Sequence, residues 1–140
     1  MSCSQVKLSI PSNIEYLSSV RSFICSIMQD ENWNEEQTTE IEIAIDEVVT
    51  NVIEHVYGFS TNYLVMLTLK LYPQKVVIDV EDEGKPFDPT QILVPNLEEV
   101  TKRRQMIGKY LIQQFSSKIE YRSTKKGGNI LRIIKDKKVA

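Results

Sequence analysis

The stretch NEEQTTEIEIAIDEVVTNVIEHVYG, residues 34–58, decides how the rest of the chain is read. Ile41, Ile45, Val48, Val52 and Val56 fall three or four residues apart, the spacing that lines one face of a helix. Asn34 followed by Gln37 has the form of a capping box, which satisfies the free backbone donors of a helix start. Gly58 is a natural stop, because glycine takes the left-handed conformation that ends a helix without steric cost. The spacing therefore predicts a helix from near Asn34 to about Tyr57, with one apolar stripe that must be covered.

Working outward, residues 7–10 read as a short strand closed by Pro11. Ser12 and Glu15 form a second capping box, with Ser12 as the cap and Glu15 reaching back. Leu17, Val20, Ile24 and Ile27 predict a helix over 13–30, broken by Asp30-Glu31-Asn32. On the other side, Val65, Leu67, Leu69 and Leu71 alternate with Thr68 and Lys70. Val76, Ile78 and Val80 alternate with Asp79 and Glu81, and Pro73-Gln74 lies between the two runs, so 63–81 reads as an antiparallel hairpin. Residues 84–103 hold Pro86, Pro89, Pro95 and a basic run, a long irregular connection of the kind that is usually functional. A third helix over 105–116 has Met106, Ile107, Tyr110, Leu111 and Phe115 on its apolar side. A last hairpin, 118–124 and 129–135, turns through Gly127-Gly128. The order β-α-α-β-β-loop-α-β-β predicts an α+β fold, a two-layer α/β sandwich with a mainly antiparallel sheet and helices on one face, as a single domain over 1–140.

Composition agrees. The chain has 140 residues, 41% hydrophobic and 26% charged, with 5 Gly and 5 Pro, which fits a globular domain rather than a disordered one. A net charge of -2 gives no basis for a nucleic-acid track. Two cysteines, Cys3 and Cys25, are too few and too scattered for a disulfide framework or a zinc site. The start of the chain lacks an export signal, and no apolar run approaches the ~20 residues that span a bilayer. A cytoplasmic protein without membrane attachment is the expectation.

Four places carry chemistry. Glu47 and Asn51 sit one turn apart on one face of the second helix. A carboxylate beside a carboxamide can orient a hydroxyl and contribute an oxygen to a hard cation such as Mg²⁺, or can simply be a solvated face. Asp82 shares parity with Val76, Ile78 and Val80, so it either closes a buried strand face or belongs to the turn that Gly84 makes. Lys102-Arg103-Arg104 precedes the third helix, whose free N–H groups favour anions, and Gly108 in its first turn leaves room for a phosphate. The same run also reads as a solvated loop tip. His55, the single histidine, continues the Glu47–Asn51 face and reads as structural; a hydrolytic triad is disfavoured.

Taken together, order and spacing are more specific. Residues 46–57, DEVVTNVIEHVY, resemble the N-box of the small bacterial anti-sigma factor serine kinases, members of the ATPase superfamily of DNA gyrase, the histidine kinases and MutL. Residues 81–88, EDEGKPFD, resemble their first glycine box. Gly108-Lys109-Tyr110-Leu111-Ile112 followed by Gly127-Gly128-Asn129 resembles the second glycine box and closing strands. The resemblance implies an ATP-binding α/β sandwich with a lid, here about 89–104. It implies that Asn51 holds Mg²⁺, that Glu47 is general base toward an acceptor hydroxyl, and that Asp82 receives the adenine amino group. It implies that Gly84 lets the backbone pass beside the base and that Arg104 reaches the γ-phosphate. Pro86, Phe87, Gly108 and Asn129 complete the implied nucleotide site. The implied partners are a sigma factor and an anti-anti-sigma antagonist that is phosphorylated on serine, and the implied assembly is a homodimer.

The chain departs from the pattern in two places. Met106 stands where the second glycine box has a glycine, and a side chain there obstructs close approach of backbone to phosphate. Pro86 stands where many superfamily members have a second glycine. A catalytically weak or inactive module that sequesters a sigma factor or other partner is therefore the alternative to the kinase. A fragment of a histidine-kinase-like ATPase is a third reading, disfavoured because no phosphoacceptor helix pair is evident.

Overall fold

The computed structural model describes residues 3–84, 115–124 and 127–138. Five strands form one antiparallel sheet: β1 (Ser4–Pro11), β2 (Leu64–Leu71), β3 (Lys75–Asp82), β4 (Lys118–Ser123) and β5 (Asn129–Asp136), in the order β1-β2-β3-β5-β4. Two helices follow β1, namely α1 (Leu17–Asp30) and α2 (Glu35–Asn51). The predicted connection over 84–103 and most of the predicted helix over 105–116 lie outside the described residues.

Period-two alternation builds the core face. Register aligns Val6, Leu69, Ile78, Ile133 and Ile119 in one row across the sheet, and Leu8, Leu67, Val80, Leu131 and Tyr121 in the next. Val20, Ile24 and Met28 of α1 and Ile41, Ala44, Ile45, Val48 and Val49 of α2 are buried in the same cluster as these strands. Each fully buried side chain of this size contributes ~1.5–3 kcal/mol of apolar transfer, which is what orders two short helices against the sheet. The last row on this face is Ile10, Val65, Asp82, Asn129 and Ser123, so the apolar face ends in two polar residues at its centre.

The start of α2 is as the sequence predicts: Asn34 Oδ1 accepts the Gln37 N–H at 2.7 Å. Three local expectations change. Ser12 is not a cap. Asn13 takes that part, accepting the Glu15 N–H at 3.0 Å, and a 3-10 turn (Ile14–Tyr16) leads into α1. Ser12 is instead buried, donates its hydroxyl to the Ser60 carbonyl and accepts the Tyr63 N–H, clamping the end of β1 to the chain entering β2. The register at Pro11–Leu64 brings these residues together, and a clamp across chain segments outcompetes a local cap. Asp79, expected on the solvated side of β3, is buried under the Arg132 guanidinium. The helix over 34–57 is not α-helical throughout: after Asn51 it widens into a π-helical turn (Val52–Val56).

Candidate functional site

Strand β3 continues through Asp82, which pairs with Val65 on one side and Asn129 on the other. The carboxylate therefore sits on the buried face, and the residue is 4% exposed. Its Oδ1 accepts the Gly84 N–H at 2.8 Å and the Asn129 side-chain NH₂ at 3.1 Å. Burial pushes the carboxyl above its ordinary range, and the bonds from Asn129 and Gly84 pull it part of the way back. A buried carboxylate costs free energy unless it is answered. These donors are neutral, so the group keeps both its charge and its capacity to accept a ligand N–H.

Gly84 makes the turn that the sequence assigns to it, with φ of +63°. Its close approach is to protein: a Cβ at Gly84 would run into the Gly127 carbonyl, and one at Gly128 would run into the Asp82 carbonyl. The two-glycine turn of the β4–β5 hairpin thus packs directly onto the turn after β3. Thr124 ties that hairpin turn, its Oγ1 accepting the Gly128 N–H at 2.8 Å. Asn129 follows at once, and its carboxamide is held at both ends. The Tyr121 hydroxyl donates to its Oδ1 at 2.6 Å while its NH₂ donates to Asp82.

Glu47 and Asn51 are both half-buried on the last two turns of α2. The π-turn begins at the residue after Asn51, and the Tyr57 N–H closes onto the Val52 carbonyl at 3.1 Å. Single π-turns within helices recur at functional sites, because the wider turn re-aims the residues after it. Here it delivers Tyr57. The phenol oxygen accepts the Glu83 N–H at 2.6 Å and donates to the Leu64 carbonyl at 2.6 Å, while the ring stacks on Tyr63 with centroids 4.8 Å apart. Burial raises the Tyr57 hydroxyl to a pKa of about 12. The end of the helix that carries Glu47 and Asn51 is thereby bonded to the residue next to Asp82. Sequence reading missed Tyr57 and Tyr121. The run of β-branched residues Val48, Val49, Thr50, Val52 and Ile53, which crowd an α-helical turn, is a hint of the π-turn.

Of the residues proposed from sequence, Asp82, Gly84 and Asn129 form one hydrogen-bonded group, and Glu47 and Asn51 form a second pair on α2. Pro86, Phe87, Arg104 and Gly108 lie outside the described residues. His55 falls in the π-turn, its Nε2 3.8 Å from Glu54 Oε2. Among the described residues, no group of three or more His, Cys, Asp or Glu side chains can hold a metal. Asn51 thus offers a single oxygen, which suits an Mg²⁺ that arrives with waters and phosphate oxygens of its own. A cleft of about 990 Å³ lies at the other end of α2, lined by Glu35, Glu36 and Glu40 together with Phe115, Lys135 and Lys138. Its three carboxylates repel a polyphosphate, and the buried Lys135 is already paired with Glu40 at 2.9 Å, so the nucleotide candidate remains the Asp82 end. Among the described residues, no helix is long and apolar enough to cross a membrane.

Residues 10–135 match a family model described as the histidine kinase-like ATPase domain. An anti-sigma F factor of Clostridium novyi is 27% identical over 99% of this chain and 97% of its own length. The serine-protein kinase RsbW of Bacillus subtilis is 23% identical over 59% of this chain and 52% of its own length, about half of that protein. A solved structure of the RsbU and RsbW domains of Rv1364c from Mycobacterium tuberculosis shares the fold, with a TM-score of 0.69 at 16% identity over 98% of this chain and 34% of that one.

Proposed function

The chain belongs to the histidine kinase-like ATPase domain family, and from that premise we propose that it is an ATP-dependent serine protein kinase and anti-sigma factor in a partner-switching system. The observation that carries the reading is the buried Asp82 carboxylate, held by neutral donors at the end of the core face. It matches a base that presents an exocyclic amino group. The similarity to an anti-sigma F factor over nearly the whole of both chains supports the regulatory half of the proposal, and that to serine-protein kinases supports the catalytic half.

In this reading Asp82 accepts the adenine amino group, and Asn51 contributes an oxygen to Mg²⁺, which neutralises phosphate charge when bound. Arg104 faces the transferring phosphate, and Pro86, Phe87, Gly108 and Asn129 help to enclose the nucleotide. Glu47 takes the proton of a serine hydroxyl as its oxygen bonds to the γ-phosphorus and the bond to ADP breaks. Such catalysis rests on positioning and electrostatics. The partners are a sigma factor and an anti-anti-sigma antagonist that carries the serine, and the protein works as a homodimer in the cytoplasm.

Mass spectrometry of the antagonist after incubation with the protein, ATP and Mg²⁺ tests this. Phosphoserine is expected with the wild type, and Glu47→Ala is expected to retain ATP binding but lose transfer. Undiminished transfer by Glu47→Ala removes Glu47 from the mechanism. Met106 in the second glycine box favours a second reading, a binding module that sequesters a sigma factor without turnover. Tight complex formation with no phosphoserine on any partner selects that reading.

A further inference from the structure

Tyr121 stands on the edge strand β4 and is 64% exposed. A hydroxyl so placed is free to bond water, yet it donates to Asn129 Oδ1 at 2.6 Å. The reach is diagonal. Tyr121 pairs with Leu131, two residues along β5 from Asn129, and diagonal neighbours on one face lie within range of an aromatic side chain. A carboxamide has one acceptor end and one donor end. With its oxygen taken by Tyr121, Asn129 turns its NH₂ to Asp82, where it donates to Oδ1. The Gly84 N–H lands on the same oxygen. Two donors are gathered on one oxygen of the carboxylate, which sets the plane in which the other oxygen can be approached.

We propose that Tyr121 is a positioning residue for base selection: through Asn129 it holds the Asp82 carboxylate so that Oδ2 accepts a purine amino group and rejects a purine carbonyl. The inference rests on the nucleotide reading of the site. The reversed carboxamide would set Asn129 Oδ1 against Asp82 Oδ1, acceptor against acceptor, and tilt the carboxylate. Tyr121 selects against that state. Hydrogen bonds linked in such a chain also polarise and strengthen one another.

The test is equilibrium titration of the full chain with ATP and with GTP in Mg²⁺ buffer, using wild type, Tyr121→Phe, Asn129→Ala and the double variant. Tyr121→Phe is expected to weaken ATP binding by about three- to tenfold, the loss of one net hydrogen bond. GTP binding and the melting temperature stay where they were, so the preference for ATP shrinks by the same factor. In the Asn129→Ala background Tyr121→Phe has no further effect, because the path it acts through is gone. An unchanged ATP-to-GTP ratio in Tyr121→Phe overturns the proposal, as do losses that add in the double variant. Should Asn129→Ala fail to fold, the ratio in Tyr121→Phe decides alone. Wild type that binds neither nucleotide overturns the nucleotide reading itself, whereas ATP binding indifferent to Tyr121 overturns only the positioning role.

Discussion

Asp79 and Asp82 stand three residues apart on β3 and are both buried, yet they are answered in opposite ways. Parity sends them to opposite faces of the sheet. Asp79 meets Arg132, its register partner on β5, in a two-pronged pair at 2.7 and 2.9 Å, with the Lys70 ammonium 3.9 Å away. The pairing holds the Arg132 guanidinium even more firmly protonated than usual. Asp82 meets a carboxamide and a backbone N–H. A carboxylate matched by a guanidinium is electrostatically complete and serves the fold. One matched by neutral donors still carries a charge that a ligand donor can use, and it costs stability until then.

The largest effect that can break this comparison is on nucleotide binding. Asp82→Asn turns an acceptor into a group whose NH₂ faces the adenine amino group. ATP affinity should fall by about 10- to 100-fold, the range of a hydrogen bond to a charged group. The same variant should be more stable than wild type at neutral pH. The folded state raises the Asp82 pKa, so it favours the protonated carboxyl, and stability is lost as pH rises from the ordinary carboxylate range through the folded value. Melting temperatures of the two proteins should converge in acid and diverge as pH rises. A variant that binds ATP normally would make Asp82 the structural twin of Asp79.

Asp79→Ala should do the reverse. It strands a largely buried guanidinium and should lower stability by ~2 kcal/mol while leaving ATP affinity unchanged. Urea denaturation and ATP titration of this variant check both halves. Adding Arg132→Met should recover much of the loss, since the stranded charge is then gone.

Tyr57→Phe is the smallest perturbation and sharpens the contrast at the edge of the site. The ring and its stack on Tyr63 remain, but the Glu83 N–H and the Leu64 carbonyl lose their partner, at a cost of ~1 kcal/mol. Because burial raises the Tyr57 pKa from 10.0 to about 12, the phenol contributes stability that is complete below pH 10 and lost as pH rises toward 12. That alkaline decline should be shallower in Tyr57→Phe, as measured by thermal melts across the range.

Much of the site was legible because it follows from periods of two and 3.6. Alternation through Val76, Ile78 and Val80 put Asp82 on the buried face, and the four-residue step put Glu47 and Asn51 on one side of α2. Gly84 was legible as a turn but not as the seat of the Gly127 carbonyl, because that approach joins residues 43 positions apart in the chain. Tyr57 read as the end of a helix and Tyr121 as an edge-strand residue. Neither position hints at a hydroxyl bond to Glu83 or to Asn129.

By itself, the sequence determined the elements, their order, which face of each is apolar, and the family likeness. Those depend on local propensity and on patterns that repeat along the chain. Only the tertiary structure decided that Asn13 rather than Ser12 caps the first helical turn, that a π-turn re-aims Tyr57, and that Asp79 is neutralised while Asp82 is not. Each of those outcomes is a choice of hydrogen-bond partner. A buried polar group takes whichever partner the sheet register brings within about 3 Å, and register is a property of strands that meet in space rather than in sequence.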